Sequence, residues 1–225
     1  MKTILPFATA VLMCNAGFAQ PPQRVPRILE DKPGLVAVLD DDGGRVETFR
    51  RSDAPRELEF HGGAVIHEPL AHVVFLGDWS AKPSLIPELQ RRIERLADSE
   101  QFRQIGAAGV RRPLALAGSR TLTAPKQIND LRIQAALADA LHDGKLALRD
   151  ENVIYVVFVA PGSDATLGGH EALRDFESYH SHFHAEDTNV RYVVVPFSGD
   201  LAAMTEVASK SLVRAIINPD GDGWY

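Results

Sequence analysis

Apolar residues fall in short blocks whose period changes along the chain, and those periods predict alternating strands and helices. Leu35-Val36-Ala37-Val38-Leu39 and the segment 45–49 flank Asp40-Asp41-Asp42-Gly43-Gly44, which reads as a hairpin around an Asp/Gly turn. The blocks 72–76 and 190–195 and the apolar run 153–159 are continuous rather than alternating, as expected of interior strands covered on both faces. Leu85, Leu89, Ile93 and Leu96 recur at helical spacing within 84–98, with Ser84 as N-cap and Pro87 tolerated only in the first turn. A second stripe, Ile128, Leu131, Ala135, Ala138 and Leu141, runs through 125–142 and stops at Gly144. Residues 160–169 read as a Gly-containing loop. The last helix covers 200–217, with Leu201, Met204, Val207, Ala208, Leu212, Ala215 and Ile216 forming a band suited to docking on a sheet. This order predicts an α+β or α/β fold, a mixed central sheet packed by about three helices, without internal repeats.

The first 34 residues stand outside that pattern. Lys2, the apolar run 4–13, and the small residues Gly17 and Ala19 read as a secretory signal peptide (1–19) cleaved near Ala19. The run is too short to span a bilayer, and Met13 is bulky where lipoprotein processing before Cys14 would want a small residue. Residues 20–34 hold four prolines and mixed charge, an extended leader that leaves 35–225 as one domain. Cleavage would remove Cys14, the only cysteine, and with it any disulfide, thiol nucleophile or cysteine metal ligand. It would also remove Lys2, taking the formal charge from −6 to −7. A mildly acidic surface disfavours nucleic-acid partners, and no later apolar stretch is long enough for a membrane span. The expected location is secreted or periplasmic.

Candidate chemistry is sparse. In Tyr179-His180-Ser181-His182-Phe183-His184, an extended backbone would put the three imidazoles on one face at period two. Three His ligands and a water make a sensible zinc site, with Glu186 as general base; a polar surface loop is the competing reading. The three aspartates 40–42 read as a solvated turn rather than a calcium site. Asn218-Pro219-Asp220-Gly221-Asp222-Gly223 carries the first half of a calcium loop without its bidentate Glu, and a helix-terminating turn explains it better. Ser163, Gly168-Gly169-His170-Glu171 and His61-Gly62-Gly63 lack the contexts of a nucleophile elbow, a phosphate loop and an oxyanion segment.

Several segments, in order, resemble the phosphate-induced (exordium-like) family of secreted proteins. They are Phe60-His61-Gly62-Gly63-Ala64-Val65, Val74-Phe75-Leu76-Gly77-Asp78-Trp79-Ser80, Leu122-Thr123-Ala124-Pro125-Lys126-Gln127-Ile128 and Asn152-Val153-Ile154-Tyr155-Val156-Val157-Phe158. Tyr179-His180-Ser181-His182-Phe183, Arg191-Tyr192-Val193-Val194-Val195-Pro196 and the stretch 208–225, ending Gly223-Trp224-Tyr225, complete the series. The plant members' paired cysteines before the Tyr-His segment are missing, and relatives continue past Trp-Tyr into an acidic segment where this sequence ends. The resemblance implies a zincin-like α/β sandwich whose last helix carries Ser-His-Glu-x-x-Glu, with ligands one turn apart on one face. In that register Lys210, Ser211 and Arg214 hold the three functional positions, and two cations and a hydroxyl cannot hold zinc. What it implies is therefore a pseudo-metallopeptidase with no cofactor and no catalytic residue. Its role would be binding an extracellular ligand or protein, with Tyr179, His180, His182 and His184 as candidate binding residues. The alternative is a metal-dependent hydrolase built on His180, His182 and His184. Lys210 and Arg214 themselves are either solvated surface charges or cations in the former metal site, which if buried need a carboxylate partner.

Overall fold

The computed structural model of the chain describes residues 29–30, 36–39, 45–53, 58–146, 150–185 and 188–224. The expected signal peptide, most of the expected leader and the turn expected at 40–44 therefore lie outside the described residues. In chain order the elements begin with strands β1 (Leu29–Glu30), β2 (Val36–Leu39), β3 (Arg45–Phe49) and β4 (Leu70–Leu76). Helices α1 (Leu85–Leu96) and α2 (Glu100–Gln104) follow, the latter continued by a 3-10 turn (Ile105–Ala108). After β5 (Ala115–Leu122) and β6 (Gln127–Asn129) come α3 (Asp130–His142), β7 (Val153–Val159), β8 (Asp164–Leu167) and β9 (His170–Glu171). The chain closes with β10 (Ser178–Ala185), β11 (Thr188–Val195) and α4 (Leu201–Ile217).

Eight strands form one mixed sheet in the order β1-β2-β3-β10-β11-β7-β4-β5, and β6, β8 and β9 form a second, small sheet. The β11-β7-β4-β5 half is parallel, while β1, β2, β3, β10 and β11 pair antiparallel. Every residue of β7 is buried because strands flank it on both sides and helices cover both faces. Alternation divides those residues cleanly. Ile154, Val156 and Phe158 join α1, α2 and α4 in one core, whereas Val153, Tyr155, Val157 and Val159 join α3 and the small sheet in the other. The hairpin expected around residues 40–44 is present as β2 and β3, with Val38 opposite Val46.

Helix ends follow local chemistry. Asp200 accepts from the N–H groups of Ala202 and Ala203 and so fixes the start of α4. Ser84 precedes α1 but makes no side-chain cap, contrary to its expected role. The second helix begins at Asp130, capped by Asn129, rather than at 125. Residues 127–129 are drawn into β6 by pairing with 164–166, so part of the expected 160–169 loop is strand β8. At the β4 end, Gly77 has φ +103°, and a Cβ there would lie 2.8 Å from the Cβ of Ala160. That turn seats Trp79 in the core, edge-on to Phe75 and Phe197.

Candidate functional site

The face of α4 that turns toward β3 and β10 carries the polar residues of interest. Glu47 on β3 and His180 on β10 are direct cross-strand partners, so their side chains rise on the same face of the sheet. Arg214 reaches down from α4 onto that pair. Its Nε donates to Glu47 Oε2 at 2.9 Å and its Nη2 donates to Oε1 at 2.7 Å, a fork that fits a carboxylate in two parallel bonds. His180 Nε2 lies 3.1 Å from Glu47 Oε2, and Phe49 stacks on the imidazole at 6.0 Å. All three polar residues are buried. Burial alone would raise the pKa of Glu47, but the His180 hydrogen bond and the Arg214 charge outweigh it and bring it down to about 2. Arg214 Nη1 and His180 Nδ1 are buried without a hydrogen-bond partner.

The other two positions of the helix register are engaged as well. Ser211 Oγ shares a 2.7 Å hydrogen bond with Ser178 Oγ, which also donates to the carbonyl of Val207. Lys210 is half-buried, and its Nζ donates to the carbonyl oxygens of Arg51 at 2.8 Å and Arg50 at 3.2 Å. Its nearest carboxylate, Glu206, is 3.6 Å away and exposed. Lys210 therefore ties the chain after β3 to the helix, while Arg214 neutralises a buried acid. Neither cation is an ordinary solvated charge. As a zinc site the arrangement does not fit. Of the three register positions only Ser211 offers a donor atom, and the guanidinium of Arg214 takes both oxygens of the nearest carboxylate.

The His-rich segment is extended, as the alternation requires, and forms β10. His180, His182 and His184 sit at alternate positions, but the strand rise sets each pair about 7 Å apart along the backbone. His180 is committed to Glu47, His182 lies opposite Arg191, and His184 Nδ1 is 3.1 Å from Asn189 Oδ1. Among the described residues no three His, Cys, Asp or Glu side chains gather closely enough to hold a metal ion. Glu186, the base suggested for that alternative, lies outside the described residues. Tyr179 does not join the histidines. It faces the opposite core and donates to Asp130 Oδ1 at 2.6 Å, where Tyr192 and Gln134 also bond the same carboxyl group. Burial first, then the neighbouring Asp130, push both tyrosines well above the usual phenol range.

Asp220, part of the apparent calcium half-loop, instead pairs with the buried Arg191 through two 3.0 Å bonds. Asn218 Oδ1 accepts from the Gly223 N–H and makes the helix-ending turn expected there. Gly223 in turn accepts from the His61 N–H, and Phe60 packs on Trp224 at 5.3 Å, so residues 60–61 and 223–224 meet beside the end of α4. Sequence reasoning missed Glu47, the centre of the buried network. It lies 167 positions from Arg214, in a segment whose only signal is strand alternation. Searches against models of known protein families and against curated proteins returned no match.

Proposed function

We propose that this chain is a secreted, non-catalytic relative of the exordium-like proteins, a pseudo-metallopeptidase that acts outside the cell by binding. One observation carries the reading: the guanidinium of Arg214 is buried and paired through both arms with Glu47, at a position where the family helix carries a ligand. Breaking a buried pair of this kind is costly, so the site is committed to a fixed internal ion pair rather than to an exchangeable cation. Two segments that carry the resemblance, 60–61 and 223–224, lie against each other at the end of the same helix, which supports treating them as one frame. Among the described residues no helix is long and apolar enough to cross a membrane.

Binding has a place to occur. A cavity of about 740 Å³ opens beside α4, bounded by β3, the α2–3-10 segment and Trp224, with Lys210, Arg214 and Glu47 among its lining residues. The test is elemental analysis of the purified protein together with hydrolysis of a fluorescent casein. The expected result is substoichiometric transition metal and no cleavage. Stoichiometric zinc, or cleavage abolished by His180→Ala, would overturn the reading.

A further inference from the structure

A buried titratable group lies away from the α4 network, at the other side of the sheet. His72, on β4, is 8% exposed, and neither of its ring nitrogens has a hydrogen-bond partner among the described residues. Alternation along β4 puts Val73 and Phe75 in the core under α4, and His72 on the opposite face with Val74 and Leu76. On that face the Tyr155 ring of β7 lies 5.8 Å from the imidazole. β5 supplies the other neighbour. Gly118 is the direct partner of His72, and a Cβ there would lie 3.3 Å from His72 Cε1, so the imidazole lies over the strand where it has no side chain.

Nothing around the ring favours a second proton. β7 brings the phenol of Tyr155, and α3 contributes the apolar Leu137 and Leu141 to this core. β5 brings Arg120, which pairs with Val74 and so rises on the same face as His72. Burial first, and then the Arg120 charge, lower the His72 pKa from its ordinary value of 6.5. A charged imidazole has to reach water, and the sheet yields most easily on the β5 side. β5 is the outermost strand and is largely exposed, whereas β7 has strands on both sides and is buried throughout.

We infer that β5 is an acid-released edge strand with His72 as its trigger: protonation of the buried ring opens the β4–β5 ladder and bares the edge of β4 for pairing with another strand. The closed sheet holds His72 neutral, while the open form lets it titrate near 6.5, so the ladder is fully held above that value and weakens as pH falls below it. By about pH 5 a single such group favours opening by at most about 30-fold.

Hydrogen exchange of the full chain, read by mass spectrometry as protection factors at about pH 7.5 and about pH 5, tests it. Protection of residues 115–122 falls about tenfold at the lower pH while that of β7 holds. His72→Phe keeps a ring without a titrating group, and its β5 protection is the same at both values. His72→Gln gives the same comparison if His72→Phe does not fold. Equal protection of β5 in the parent chain at the two values, a fall shared by β7, or a fall that survives the loss of the imidazole each overturns the inference. The interval lies above the range in which Glu47 titrates, so the outcome is independent of the Arg214 pair and of the binding role proposed above.

Discussion

Replacing Arg214 by Met removes a cation while keeping much of its apolar volume, and leaves Glu47 buried with His180 as its remaining side-chain partner among the described residues. Breaking one side of a buried pair costs about 3–5 kcal/mol, most of it the desolvation of the abandoned charge. The Glu47 pKa, which burial raises and the His180 hydrogen bond and Arg214 charge together bring down from 4.5 to about 2, bounds the share that Arg214 holds with His180. At about 1.4 kcal/mol per pKa unit that lowering corresponds to about 3 kcal/mol. For a chain of this size the melting temperature should fall on the order of 10 °C. Guanidinium unfolding followed by circular dichroism reads the loss directly. In Glu47→Gln/Arg214→Met the abandoned charge is gone, and at least half of the lost stability should return. Arg214→Met within about 0.5 kcal/mol of the parent chain would refute the claim that this guanidinium is structurally committed. So would a double variant no better than the single one.

The remaining expectations concern the same network and its surroundings. Because the folded-state pKa of Glu47 lies below its unfolded value, its stabilisation is complete above about pH 4.5 and is lost as pH falls toward 2. Glu47→Gln should lack that part of the acid limb in unfolding titrations run across the interval. Gly77→Ala forces a Cβ to 2.8 Å from that of Ala160 at a positive φ and should cost about 2–4 kcal/mol by denaturant unfolding. Tyr192→Phe removes the hydroxyl that bonds both oxygens of Asp130 and should cost about 1–3 kcal/mol in the same assay. Lys210→Met releases the carbonyls of residues 50 and 51, so amide exchange in that stretch should quicken with about 1 kcal/mol of global loss.

How far residues announce their positions depends on whether the information is local. The run 153–159 was legible as an interior strand because seven consecutive apolar residues suit only a strand covered on both faces, and β7 is buried throughout. α4 was legible from its apolar band, and β2–β3 from the Asp/Gly turn between two extended blocks. β5 was not. Ala115-Leu116-Ala117-Gly118-Ser119-Arg120 lies at the sheet edge, largely exposed, and carries no periodic signal. β6 and β8 exist because they pair with each other, an interaction that neither stretch shows alone. At the site, helical spacing left Arg214 open between a solvated surface charge and a buried cation, and the structure buries it together with Ser211. Their partners Ser178 and Glu47 are long-range choices that spacing cannot name. The separation of Tyr179 from His180 was available all along, since neighbours on a strand point to opposite faces.

The proposal that Arg214 stands where a relative would carry a metal ligand is tested most directly by zinc titration followed by calorimetry. The parent chain should give no saturable heat. Lys210→His/Arg214→His, which sets two imidazoles one turn apart beside Glu47 and His180, should take up one equivalent. One-to-one zinc binding by the parent chain would contradict the reading outright.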